Sequence, residues 1–351
     1  MNKTTSENIY AVKGLGAILI MIYHYSVYYS DYISSIEFKH LNFAYLTFAV
    51  PIFFLFSSFF LYGKAKKFEH PIKLIIYRLT RLYPMYWIAV LFSTGIIVFV
   101  GKQVISVKQI LLNLTMIEKV FGVEHIDGAY WTLFYELMLL IIFAFASVLQ
   151  IRKKKLIKNT LLFCSSWLIL GAVSSTTMKT LRIESSTLAV ILFACRYVPV
   201  FVMGILFSDR YKENKLVSNK QFWVLYICSI VYELVLAQNI YYGIYGVVAI
   251  LVCHAATSGK LNRICFFKSS LLVSLGKISY NIYLCHNQFG KILISKIDRT
   301  DNMILSILII CLIGVGSILI AYILSKLEKI AINKIEVIAS LFMTKRNNLN
   351  V

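Results

Sequence analysis

Apolar runs close to twenty residues long recur from one end of this chain to the other, and that recurrence leaves few folds open. A bilayer core about 30 Å thick needs roughly 20 apolar residues of α-helix to cross it. The runs are continuous, without the alternation of a lipid-facing barrel, and open sheet edges find no partners in hydrocarbon. The composition agrees: 59% hydrophobic, 15% charged, mean hydropathy +0.75. The chain reads as all-α, a polytopic membrane protein of about ten transmembrane helices. Spans are expected near residues 9–29, 44–63, 83–100, 130–150, 159–175, 188–207, 221–237, 241–256, 271–295 and 304–324. Residues 1–330 are expected to form one transmembrane domain and 331–351 a cytoplasmic tail.

Charge sets the expected orientation. With a cytoplasmic amino terminus, 24 of the Lys and Arg residues flanking the spans fall inside and 8 outside. That bias follows the positive-inside rule and predicts both termini cytoplasmic. It also explains most of the +20 net charge, because basic loops sit well against anionic headgroups of membrane lipids. Nucleic acid is not implied. The first span lacks a small-residue cleavage site after it and is expected to be a retained helix. The seven cysteines, at 164, 195, 228, 253, 265, 285 and 311, lie in or beside spans without metal-like spacing and read as small core hydrophobes. No metal site and no transporter-style internal repeat is expected.

Ionisable residues within the spans carry the functional signal, because charge at membrane depth is costly and turns toward a cavity or a partner. Lys13 and His24 are eleven residues apart, about three helical turns plus 20°, so they share a face and lie roughly 16 Å apart along the axis. A snorkelling lysine and a packed histidine would account for each taken singly. The other spans add to the pattern. Counting at the helical rise puts Glu136 about 10 Å and His24 about 8 Å below the outer surface, with His286 roughly 20 Å from the cytoplasmic start of its span. Three acid-base groups thus converge in depth. At the other end, Arg78 and Arg81 stand one turn apart just before Pro84, which is expected to open the third span, and they can present two forks to a phosphate. A topology and headgroup anchor is the plainer use of such a pair. Arg196 lies inside the sixth span and needs an acidic or carbonyl partner.

Taken in order, Lys13-x10-His24, Phe-Phe-Leu-Phe-Ser-Ser ending at Ser58, Arg-Leu-Thr-Arg-Leu-Tyr-Pro ending at Pro84, Gly-Ala-Tyr-Trp-Thr-Leu-Phe-Tyr-Glu ending at Glu136 and Ser-Tyr-Asn-Ile-Tyr-Leu-Cys-His ending at His286 resemble the acyltransferase family 3 membrane proteins. The resemblance covers about 290 residues. It implies a bacterial inner-membrane enzyme of about ten spans, an O-acetyltransferase that takes its acyl group from cytoplasmic acyl-coenzyme A, most simply acetyl-CoA, and passes it to a cell-surface carbohydrate. It implies His24 as the essential histidine with Lys13 as its basic partner, Arg78 and Arg81 as the paired arginines, and Glu136 as the buried acid. In that scheme Lys13, Arg78 and Arg81 hold the donor's phosphates. His24 either removes a proton from the attacking hydroxyl or carries the acyl group itself. Glu136 orients or charge-balances the imidazole, His286 joins the acid-base groups, and Tyr130 and Trp131 stack on a sugar at the outer mouth.

Two departures accompany the resemblance. Ser58 stands where the family has glycine, which puts close backbone approach there in question, and no appended hydrolase-like domain is expected after the last span. The short outer loops, of which 102–129 is the longest, suggest an acceptor that enters a groove on a lipid carrier or growing chain: O-antigen, capsule, exopolysaccharide or peptidoglycan. Two other classes fit buried charges as well. One is a flippase that moves a lipid-linked saccharide on a proton relay, the other a non-catalytic scaffold.

Overall fold

The computed structural model describes residues 3–32, 43–65, 67–68, 70–152, 197–211, 217–236, 240–297 and 303–348. Among them there is no strand. Eleven α-helices lie among the described residues: α1 Lys3–Tyr32, α2 Ala49–Ala65, α3 Pro71–Gly95, α4 Val107–Asn113, α5 Trp131–Arg152, α6 Val198–Tyr211, α7 Asn219–Leu236, α8 Ile240–Thr257, α9 Ser270–Lys277, α10 Ser279–Ser295 and α11 Met303–Asn348. Six stretches of the described residues are long and apolar enough to cross a membrane: Lys3–Asp31, Tyr45–Ala65, Pro71–Val100, Gly128–Phe145, Ile240–Thr257 and Ile307–Lys334. The expected span at 159–175, the start of the one at 188–207, and Arg196 lie outside the described residues.

Three expected boundaries change. The third span starts at Pro71 and runs through Pro84, so Arg78 and Arg81 sit on the helix and not before it. Pro71 takes the first turn, where its missing N–H costs nothing. Pro84 removes one internal hydrogen bond, and nearby the Tyr280 hydroxyl donates to the Leu82 carbonyl at 3.1 Å. The expected span 271–295 is two helices, broken where Ile278 leaves helical geometry at φ −108°, ψ 14°. His286 is therefore about 10 Å along α10, not 20 Å along an unbroken span. The last helix continues well past residue 324, to Asn348.

Of the four apolar cores among the described residues, the two largest organise the packing around the site. In one, Phe56, Phe143, Phe201 and Phe222 join α2, α5, α6 and α7. In the other, Tyr86, Tyr130 and Leu284 join α3, the start of α5 and α10. Where the family's glycine is replaced by Ser58, the close approach survives because the facing helix supplies the glycine. A Cβ on Gly204 of α6 would overlap Ser58 Oγ and the Leu55 carbonyl. Ser58 turns its own hydroxyl back to that carbonyl at 2.8 Å, so it reaches the interface with its polar atom paired.

Candidate active site

The two cores leave a cavity of about 180 Å³ between them. Its walls are apolar, with Phe53, Phe54, Phe56 and Phe60 from α2, and its charged residues are Lys13, Arg78 and Glu136. The polar wall is a relay. Arg78 Nη2 donates to Ser57 Oγ at 3.0 Å, and Ser57 Oγ donates to Glu136 Oε1 at 2.6 Å. Arg78 Nη2 and Glu136 Oε1 are 4.0 Å apart. Arg78 Nε is buried and has no hydrogen-bond partner among the described residues. Lys13 Nζ stands 5.8 Å from the centre of the Phe60 ring and within electrostatic reach of both Arg78 and Glu136. Two cations against one carboxylate leave the cavity with an excess positive charge beside aromatic walls.

Two imidazoles form a second cluster farther along α1 and α10. The ring centres of His24 and His286 are 5.3 Å apart. His286 is fully buried, and its Nδ1 lies 2.9 Å from the Tyr283 carbonyl and 3.1 Å from that of Ile282. Carbonyls only accept, so Nδ1 carries the hydrogen, and Nε2 keeps a lone pair with no partner among the described residues. Tyr283 connects the clusters, because it lines the cavity and its ring centre is 5.8 Å from that of His286.

The sequence-derived site residues thus divide. Lys13, Arg78 and Glu136 meet in the cavity, and His24 meets His286. Glu136 is not beside His24: its hydrogen-bond and ion-pair partners are Ser57 and Arg78, and none of its contacts among the described residues joins it to an imidazole. A count of depth along each helix carries no lateral information, and Glu136 turns to Ser57 of α2 and Arg78 of α3. Ala129 and Tyr130 are buried, and the Tyr283 hydroxyl donates to the Ala129 carbonyl at 2.6 Å, which packs the residues just before α5 against α10. Arg81 does not line the cavity: it is exposed, packs over Tyr77 and lies within electrostatic reach of Glu328 on α11.

Tyr130 is a buried strut. Its hydroxyl donates to the Leu284 carbonyl at 3.1 Å and its ring meets Tyr86 edge-on. Trp131 packs its ring against Tyr135 and Tyr197. The aromatic ring nearest His24 is that of Tyr23, with centres 5.0 Å apart, and Tyr23 is within electrostatic reach of the half-exposed Tyr242. Sequence reasoning also passed over Asp127, which is fully buried and accepts from the Ala129 amide, the Asn287 side chain and the Gln288 amide. Burial pushes its carboxyl above the usual range, and those hydrogen bonds pull it back. No spacing rule reaches from residue 127 to residue 287. Among the described residues no cluster of His, Cys, Asp or Glu is arranged to hold a metal ion.

A helical membrane protein with a cationic, aromatic-walled cavity and an imidazole pair beyond it is the class that this geometry defines. The chain belongs to the acyltransferase family 3: the family model, described as an acyltransferase domain, matches residues 7–326. It is by family a membrane acyltransferase. No match is found among curated proteins or solved structures.

Proposed function

We propose that this protein is an O-acyltransferase of the bacterial inner membrane. It takes an acyl group, most simply acetyl, from cytoplasmic acyl-coenzyme A and moves it to a hydroxyl of a surface polysaccharide or its lipid-linked precursor. Both termini then lie in the cytoplasm, and the Lys13 end of α1 faces the donor. The observation that carries the reading is the pairing of a cationic cavity with a separate pair of imidazoles, His24 lying about 16 Å beyond Lys13 along α1. Coenzyme A has the same layout, with phosphates at one end and a thioester at the end of a long, largely uncharged arm. Lys13 and Arg78, whose Nε has no partner among the described residues, suit the anionic end. The phenylalanine walls suit the arm.

At the far end the acceptor hydroxyl attacks the thioester carbonyl. A C–O bond forms, the hydroxyl proton passes to an imidazole, and collapse of the tetrahedral adduct breaks the C–S bond. The departing sulfur takes that proton back, which returns the imidazole to its starting state. His286 Nε2 holds an unspent lone pair in a buried ring, and His24 is partly exposed beside it, so the two divide the labour of holding a proton and meeting the acceptor. Tyr23 and Tyr242 supply the aromatic surface next to His24 on which a sugar ring would lie.

The decisive experiment is mass spectrometry of surface glycans from cells carrying the wild-type gene, a deletion, or His24→Ala. The expected result is an ester mass that is present with wild type and lost in both other strains, while the His24→Ala protein inserts at normal abundance. Equal ester content in all three would overturn acyl transfer and favour a transport role.

A further inference from the structure

The proposed transfer needs His24 and His286 held at a fixed spacing, yet no hydrogen bond among the described residues joins the two rings. The contacts that set the spacing converge on Asp127, in the loop before α5. Its Oδ1 accepts from the Ala129 amide at 2.8 Å, the ordinary use of an aspartate that caps a helical turn. Capping needs one acceptor. This carboxylate also takes the Asn287 side-chain amide on Oδ1 and the backbone amide of Gln288 on Oδ2, the latter at 2.9 Å. Those are the two residues that follow His286.

The grip falls in mid-helix. In a regular α-helix the Gln288 amide and the Leu284 carbonyl are partners. Here the first is engaged by Asp127 and the second by the Tyr130 hydroxyl at 3.1 Å, so the 127–130 segment holds α10 on both sides of His286. The chain of contacts continues to α1. Asn287 Oδ1 accepts from the Tyr28 hydroxyl at 2.6 Å, and the Tyr28 ring lies 6.1 Å from that of His24 at an interplanar angle of 20°. Tyr25, next to His24 in sequence, donates to the His286 carbonyl at 2.8 Å. A fully buried carboxylate is costly unless its hydrogen bonds are complete, and each of these donors comes from an element that carries or abuts an imidazole.

We propose that Asp127 is a positioning residue for the imidazole pair. It locks α10 immediately after His286 and, through Asn287 and Tyr28, locks α1 one turn beyond His24. The inference rests on the acyl-transfer reading. Displacing a reacting group by about 1 Å can cost roughly a hundredfold in rate, so loosening this lock acts on turnover rather than on donor binding.

The test uses full-length protein in native membranes, with acetyl-coenzyme A as donor and thiol release as the signal, beside diethyl pyrocarbonate labelling of each histidine read by mass spectrometry. Asp127→Asn keeps the volume but faces an amide donor toward the donors it must satisfy. It is expected to lower kcat about tenfold or more, leave KM for acetyl-coenzyme A within about twofold, and speed labelling of His286 severalfold. Adding Asn287→Asp restores an amide-carboxylate pair at the same place and should recover part of kcat. Tyr28→Phe removes the hydroxyl that links α1 to Asn287 and should give the same kcat and KM split at smaller size; it stands in for Asp127→Asn should that variant fail to accumulate.

Unchanged kcat per inserted molecule with unchanged labelling overturns the positioning role, as does lower abundance with normal kcat. A wild-type protein that releases no thiol overturns the acyl-transfer reading instead, and the labelling arm alone then decides whether Asp127 holds the pair.

Discussion

The two polar clusters of this protein are built on opposite principles. In the cavity, charges face one another directly: Arg78 and Glu136 share the Ser57 hydroxyl, with Lys13 close by. Around the imidazoles no carboxylate or cation makes a hydrogen bond to either ring among the described residues, and His286 is held by carbonyls alone. A cluster with excess positive charge attracts an anion and gains from charge-assisted bonds. A buried ring with a spare lone pair presents a proton acceptor and no charge that would hold an anion. On the proposed function this difference separates binding from chemistry, and mutations should fall into two kinetic classes.

The largest effect is expected at the imidazoles. His24→Ala should reduce acyl transfer by about a hundredfold or more with unaltered abundance, checked by glycan ester content per inserted molecule. Arg78→Ala comes next and should behave differently, raising KM for acetyl-coenzyme A about tenfold, since a charged hydrogen bond contributes roughly 1.5–3 kcal/mol. That variant also strands Glu136, so adding Glu136→Gln should recover protein abundance without recovering KM. A variant in the cavity that lowered kcat alone would erase the distinction between the clusters.

A third test addresses the support beneath the cavity. Gly204→Ala forces α6 away from the turn that carries Ser57 and Ser58, and should cost about 1–3 kcal/mol of stability, measured as a lower thermal midpoint in detergent. The smallest effect is expected for Arg81→Ala, which should change KM for the donor by less than about twofold, in line with the weak contribution of exposed charges. Equal effects from Arg78→Ala and Arg81→Ala would restore the two-armed phosphate fork that the spacing alone suggests.

Helix content and membrane character were readable from apolar run length, because hydrocarbon demands that each segment satisfy its own backbone. Lys13 and His24 were readable as a pair on one face, since both sit on a single helix whose geometry is regular. Residues on different helices were read less well. Glu136 was placed with the histidines by a depth count, which carries no lateral information, and its partners Ser57 and Arg78 lie on other helices. The distance of His286 along its span assumed no break at Ile278. Pro84 looked like a helix start and proved to be an internal position, with a carbonyl beside it taken by Tyr280. Ser58 read as a lost close contact because the compensating glycine lies on another helix, at position 204.

By itself the sequence determined that this chain is a helical membrane protein of the acyltransferase family, with ionisable groups that must face inward. Composition, run length and motif order are local or ordered properties, and they survive without knowledge of packing. Which charges meet was decided only in three dimensions. Lateral neighbours, helix breaks and a loop carboxylate such as Asp127, 160 residues from its partner Asn287, depend on how separate elements dock, and docking is a property of shape that no spacing within one segment encodes.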